Sequence, residues 1–200
     1  MPDEKIEYKI CFLIGESGSG KDFLASALCT APSLYHKVVI TTTRPMRSSE
    51  TADISYHYVT KSQYKALEEK KEIYGTQKFN DWYYGVQKVD LHPYKTNICV
   101  LSPKAVLQMS IDLNAAKVNW RSGIVWIKAN DKIRIIRQLC REDNPSIEEV
   151  FRRYEADKAD FSDEKIKDWM KTLIRVDNSQ NDKGASALKA LRSILLYNKF

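Results

Sequence analysis

Histidine, cysteine and glycine are scarce in these 200 residues, at three, four and seven. The histidines His36, His57 and His92 stand far apart, with no H-x-x-x-H pair and no carboxylate cluster beside them, so a protein-held transition metal is not expected. Cys11, Cys29, Cys99 and Cys140 show no C-x-x-C spacing, and three of them lie among Ile, Leu, Phe or Val. They read as buried free thiols rather than a redox or metal site. Long apolar runs are missing as well. Ile10 to Ile14 is typical, far short of the roughly 20 residues of a membrane span, and residues 1–9 are too charged for a signal peptide. Positive charge is in small excess, 32 Lys+Arg against 26 Asp+Glu for a net +6, which suits a phosphorylated small ligand as well as a polynucleotide. With 43% hydrophobic residues the chain can bury a sizeable core, and one soluble, cytoplasmic domain is expected.

The few glycines are concentrated. Three of the seven fall at Gly15, Gly18 and Gly20, directly after the apolar β-forming run Tyr8 to Ile14. Gly15-Glu16-Ser17-Gly18-Ser19-Gly20-Lys21 fits G-x-x-x-x-G-K, in which backbone N–H groups wrap phosphate oxygens and the lysine reaches the outer phosphates. Side chains at the glycines would block that approach. Lys21 to Ala31 then places Leu24, Leu28 and Ala31 on one helical face, closed by Pro32. The order is strand, loop, helix. The pattern's next residue is normally a magnesium-ligating Ser or Thr, and here it is Asp22. An aspartate there can hold Mg²⁺ directly or through water, cap the helix, or repel the phosphates; metal holding is the favoured reading.

Further along, Lys37 to Thr41 reads as one strand and Tyr56 to Val59 as another. Thr60 with Gln63 has the capping-box spacing and opens a helix to about Lys71, whose lysines form its wet face. Asn97 to Leu101 and Gly123 to Lys128 read as buried strands, and Pro103 just inside Ser102 starts a short helix. Asp131 to about Arg141 is helical, and Ser146 with Glu149 is a second capping box, opening a helix that carries Arg152 and Arg153. Leu173 to Val176 is a last strand, and 185–198 a closing amphipathic helix with Leu188, Leu191, Ile194 and Leu195 on one face. Strands alternating with helices predict an α/β fold with a mainly parallel sheet flanked by helices.

Thr42-Thr43-Arg44-Pro45-Met46-Arg47 sets two guanidinium groups three residues apart beside a rigid proline, suited to gripping a second phosphate or, more blandly, to a solvated basic loop. The segment runs on into Tyr56-His57-Tyr58-Val59, a helix, and Trp82-Tyr83-Tyr84-Gly85. With the glycine loop before it and an arginine-rich stretch after it, this order resembles the guanylate kinase family over about residues 8–178. The resemblance implies a P-loop NTPase-type sheet with a core at about 1–41, 97–130 and 172–200, an acceptor-binding subdomain at 42–96 and a helical lid at 131–171. It implies ATP with Mg²⁺ on Gly15, Ser17, Gly18, Ser19, Gly20, Lys21 and Asp22, and an acceptor nucleotide phosphate held by Arg44, Arg47, Tyr56 and Tyr84. Arg137 and Arg141 look like the family's ATP-side lid arginines, and Arg152 or Arg153 like the one that reaches the transferring phosphate. Arg134, Arg137 and Arg141, three and four apart, share a helix face. Trp82 is read either as a wall of the acceptor pocket or as packing.

The departures concern the base. Ile40 stands where the family has a serine near the guanine, Gly75 where it has the glutamate that pairs with the guanine edge, and Val86 replaces the serine after Y-Y-G. Leu101-Ser102-Pro103-Lys104 replaces an acidic segment. The expectation is an ATP-dependent nucleoside or deoxynucleoside monophosphate kinase of altered base specificity, because missing hydrogen-bond readers decide base choice whereas phosphoryl transfer does not depend on the base. A kinase for a nucleotide within DNA or RNA and a non-catalytic binding module are the alternatives.

Overall fold

A computed structural model describes residues 6–47, 50–140, 146–166 and 173–197. The elements in chain order are β1 (Tyr8–Ile14), α1 (Lys21–Leu28), β2 (Tyr35–Lys37), β3 (Thr41–Thr42), β4 (His57–Tyr58), α2 (Lys61–Glu69), β5 (Ile73–Phe79) and β6 (Trp82–Gln87). A 3₁₀ turn at Lys88–Asp90 leads to β7 (Thr96–Val100), α3 (Pro103–Ala115), β8 (Trp120–Lys128), α4 (Asp131–Leu139), α5 (Ile147–Asp160), α6 (Asp163–Ile166), β9 (Ile174–Asp177) and α7 (Ala185–Tyr197). Five strands form a parallel sheet in the order β2-β7-β1-β8-β9, with β1 at its centre. The fold class is as expected, α/β with helices on a mainly parallel sheet.

β1 is buried on both faces because its run is apolar at successive positions, as a central parallel strand requires. Phe12 and Ile14 face one core with Met109 and Leu113 of α3. Cys11 and Leu13 face the other, under Leu24 and Leu28 of α1 and Leu191 and Leu195 of α7. Leu188 and Ile194 pack against that second core from its margin. Cys11 and Cys99 are buried free thiols as expected, but Cys29 is half-buried and Cys140, at the end of α4, is exposed.

A second, four-stranded sheet, β4-β3-β6-β5, is inserted between β2 and β7. The expected strand Lys37 to Thr41 is in fact two strands in two sheets. Val38 N–H still donates to Ile98 of β7, but the Ile40 carbonyl already accepts from His57 of β4. The run is continuously apolar because both sheets bury it, Val38 at 3% and Ile40 at 8% exposure. The β5–β6 hairpin was not foreseen as strands. Asn80, at φ 52, turns it, and a register shift between Tyr74 and Gln77 breaks the alternation that would have announced it.

Helix starts follow their caps. Thr60 and Gln63 form the full reciprocal box at α2, and Ser102 accepts the Ala105 N–H with Pro103 at the first position of α3. Ser146 accepts the Glu149 N–H at α5, but only half of that box forms: the Glu149 carboxylate is engaged elsewhere.

Candidate active site

The glycine loop joins β1 to α1, and its end lies against a cleft of about 490 Å³ bounded by β6, the segment after β3, and α5. Six cationic side chains line this cleft, Lys21, Lys37, Arg44, Arg47, Arg152 and Arg153, against the carboxylates of Asp22, Glu50 and Glu149. The excess of positive charge suits a ligand carrying several phosphate charges. An adjoining lobe of about 600 Å³ shares Lys21, Asp22, Tyr56 and Tyr84 and extends to Gln77, Ser102 and Phe161.

Within the loop, the Lys21 ammonium donates to the Glu16 carbonyl (3.0 Å). Burial pushes its pKa down, against the pull of Asp22, Asp157 and Glu16. The Glu16 carboxylate accepts from the Trp126 indole (3.0 Å), which fixes the start of the loop. The requirement for glycine has a second cause besides phosphate access. Gly18 sits at φ +78, and a Cβ there would run into the backbone carbonyl of Arg134 in α4. The loop is thus packed from behind as well as open in front.

Arg137 belongs to that packing. Its guanidinium donates to the Asn178 carbonyl (2.9 Å) and lies 3.4 Å from the carbonyls of Gly18 and Ser19. It stands behind the loop, not in the cleft, because α4 presents this face to the loop's outer side. Arg134, buried at 4%, does the same, donating to the Ser17 carbonyl, Asp131 and Asp157. Arg141 lies outside the described residues. Arg152 and Arg153 do face the cleft, both held by Glu149 at 2.6–2.9 Å. The hydrogen bond from Arg152, against burial and with help from Arg153, holds Glu149 at about 2. Arg152 also lies over the Phe79 ring of β5, at 5.0 Å, reaching across to the second sheet.

Arg44, Arg47, Tyr56, Tyr84 and Trp82 all line the same cleft. Arg44 is 7% exposed and stacks over Tyr56 (5.3 Å) and Tyr58 (6.0 Å). The residue that organises it, Glu50, was missed by sequence reasoning. Its oxygens accept from Arg44 Nη2 (2.7 and 2.8 Å), the Arg47 N–H (2.9 Å) and the Tyr58 hydroxyl (2.7 Å). Tyr56 is raised to about 12, by burial first and then by Asp22. Asp22 is therefore close to the grip as well as to the loop.

Two more residues gave no sequence signal. Asp157 of α5 accepts the Ser17 N–H (2.8 Å) and Arg134 Nη2 (2.8 Å), latching α5 to the loop. Burial raises its pKa in spite of those partners. Gln138 of α4 is 7% exposed and faces the cleft, and neither its Oε1 nor its Nε2 has a partner among the described residues. An orphan amide costs about 1–3 kcal/mol of desolvation. Gln138→Leu is therefore expected to raise the melting temperature of the ligand-free protein by a few degrees; a lower value would mean that the amide is partnered in solution.

At one of the base-reader departures, Gly75, the surrounding packing leaves little room for a side chain. Gly75, where the family glutamate would fall, is at φ +63, its N–H bound to Asp112 of α3, and a Cβ there would lie 3.0 Å from Met109 Cβ and 3.2 Å from the Ala105 carbonyl. A glutamate cannot simply be put back. Gly75→Glu is expected to cost about 3 kcal/mol or more, from the strained backbone and the overpacked approach to α3 together, and to gain no GMP use. Urea unfolding measures the first and a kinase assay the second.

A family model described as guanylate kinase matches residues 7–194. Among curated proteins, the chain is 36% identical over 81 residues to a guanylate kinase of Nostoc sp., covering 40% of each chain. It is 39% identical over 56 residues to one of Helicobacter hepaticus, covering 28% of each. These matches span two fifths or less of the relatives' own length. Among solved structures, the guanylate kinase of Anaplasma phagocytophilum superposes with a TM-score of 0.59 at 18% identity, over 97% of this chain and 88% of that one, a likeness of fold.

Proposed function

This chain belongs to the guanylate kinase family, and from that premise we propose that it is an ATP-dependent nucleoside or deoxynucleoside monophosphate kinase with an altered base pocket. One observation carries the reading: the glycine loop with Lys21, the Arg44–Arg47–Tyr56–Tyr84 grip and the Arg152–Arg153 pair line a single cleft. A donor phosphate chain on the loop and an acceptor phosphate on the grip would then face each other, which is the alignment phosphoryl transfer needs. The parts divide as a core around the parallel sheet, an acceptor-binding subdomain around the second sheet and a lid from α4 to α6.

In this reading the acceptor phosphate oxygen attacks the γ-phosphorus of ATP and the bond to the ADP oxygen breaks, with no covalent enzyme intermediate. Arg44 and Arg47 hold the acceptor phosphate, and the Tyr56 and Tyr84 hydroxyls complete its shell. Lys21 turns from the Glu16 carbonyl to the transferring group. Arg152 and Arg153 leave Glu149 for the equatorial oxygens, where charge spreads in the transition state. Arg137 supports the loop from behind, and Arg141 keeps its expected place in the lid by resemblance alone. Asp22, beside both phosphate positions, is the carboxylate suited to Mg²⁺, and no cluster of three or more His, Cys, Asp or Glu able to hold a metal occurs among the described residues. An ion held by Asp22 together with phosphates and water would supply charge neutralisation along the phosphate chain.

No helix among the described residues is long and apolar enough to cross a membrane. The test is ADP production from ATP and Mg²⁺ with each ribo- and deoxynucleoside monophosphate in turn. Turnover with one or a few acceptors is expected. Silence with all of them, despite measurable ATP binding, would sink the proposal in favour of a polynucleotide acceptor or a binding module.

A further inference from the structure

The second lobe of the cleft opens beside the acceptor grip, walled by the apolar side chains of Val38, Ile40, Leu101 and Phe161. These four side chains offer an apolar wall against which a nucleobase can pack, while Lys104, Asp157 and Asp160 line the same lobe. On its sheet side stands a hydrogen-bonded pair with no part in the phosphate chemistry, Gln77 of β5 and Ser102 at the start of α3, with Ser102 Oγ 2.7 Å from Gln77 Oε1. Resting on the kinase reading above, we infer that this pair reads the acceptor base, and that it selects nucleoside monophosphates other than GMP.

Donors and acceptors decide which base fits. Ser102 Oγ accepts the Ala105 N–H as the cap of α3 and donates its own proton across to β5. The carbonyl end of the Gln77 amide takes that proton. This fixes the amide: its oxygen is turned to Ser102 and its NH₂ is turned away, a donor with no partner among the described residues. The register shift between Tyr74 and Gln77 is what brings this side chain to the lobe, while Gly75 is used up against α3. Lys104, the second residue of α3, adds another donor to the lobe.

Guanine offers N1–H and N2–H₂ side by side, two donors that need two acceptors, as a carboxylate provides. The amide oxygen, with Ser102 on one lone pair, can accept only one of them, and the amide nitrogen can only donate, so one guanine donor is left without a partner. Adenine, cytosine and uracil or thymine each set an acceptor beside no more than one donor on the same edge, and the amide complements all of them. The mismatched base suffers most, because an unpaired buried polar group costs more than a made bond gains.

The decisive variant is Gln77→Glu, which keeps the shape and restores two acceptors. Ser102 can still donate to it. The ratio of kcat/KM for GMP to that for the best wild-type acceptor is expected to rise by about 10²-fold or more in the variant. Thermal-shift titration with each monophosphate gives the same ranking as binding, so a loss of catalytic rate in the variant does not hide the answer. Gln77→Met, apolar and of similar length, is expected to flatten the ranking among acceptors while leaving the phosphate grip intact. Wild-type preference for GMP, or a ranking unmoved by Gln77→Glu in a protein that still turns over, would overturn this inference and leave the kinase standing. Absence of turnover and of monophosphate binding with every acceptor would overturn both.

Discussion

Replacing Lys21 by alanine is expected to lower phosphotransfer by about 10³-fold or more, the scale of losing a cation aimed at developing phosphate charge, without lowering thermal stability. The two effects separate because of how the lysine is held. Its ammonium is partly buried and, among the described residues, hydrogen-bonds to the Glu16 carbonyl, and burial pushes its pKa down. A lysine whose folded pKa is lowered carries its charge at a cost at neutral pH, relieved only as the pH rises through the folded value. Alanine removes that cost along with the bond, so the melting temperature of the free protein stays level or rises slightly. The stabilisation by ATP with Mg²⁺ should shrink in parallel with the rate. Steady-state kinetics beside differential scanning calorimetry checks both, and turnover within tenfold of wild type would remove Lys21 from the reacting phosphates.

The second large effect is expected at the Arg44–Glu50 pair, whose side chains are 6% and 5% exposed. Arg44→Met leaves the Glu50 carboxylate buried without its main partner, which costs about 3–5 kcal/mol. It also takes from the cleft the guanidinium proposed to hold the acceptor. KM for the monophosphate should rise by about 10²-fold or more, the scale of removing a charge-assisted hydrogen bond from a desolvated site. Arg44→Met with Glu50→Gln recovers much of the stability, since no charge is stranded, but none of the acceptor affinity. Stability that recovers together with affinity would show that Arg44 acts only through the fold.

The pair also sets an acid limit. Burial pushes the Glu50 carboxyl up, but the bonds from Arg44, the Arg47 N–H and Tyr58 outweigh it and hold it at about 2. A carboxyl depressed on folding stabilises fully above its unfolded value, near 4.3, and that contribution is lost as pH falls from there towards 2. Between pH 6 and pH 3.5 the wild type should therefore lose more unfolding free energy than Glu50→Gln does.

Much of the scaffold could be read from the chain because its signals are local. The strand Tyr8–Ile14, the glycine loop, the helix start at Lys21, the cap at Thr60 and the Ser102–Pro103 start each depend on residues a few places apart, and each forms where expected, although α1 ends at Leu28, short of the expected Ala31. The run from Lys37 to Thr41 misled because burial by two different sheets and burial within one leave the same apolar pattern. The β5–β6 hairpin was hidden by Gly75 and by polar Gln77 and Lys78, although Asn80-Asp81 between Phe79 and Trp82 was a usable turn signal. In the cleft, Arg44, Arg47 and Tyr56 follow one another closely in sequence, and Tyr84 joins them through the pairing of Thr42 in β3 with Tyr84 in β6. Arg137 did not, since helical spacing gives a face but not what that face meets, here the back of the loop. Glu50, Asp157, Gln138 and the Gln77–Ser102 pair matter through partners or through the lack of them, and neither is written in spacing.

The insertion of the second sheet between two strands that lie side by side bears on how the chain folds. β2 and β7 pair directly, Tyr35 beside Thr96, although the whole of β3 to β6 intervenes. Closing so long a loop as a flexible coil carries an entropy cost that grows with its length. If the insert collapses first, with its hairpin and capped α2 built from local interactions, the span left to close is only the short distance between its own two ends. The edge of the parallel sheet can then assemble as a late, almost local step.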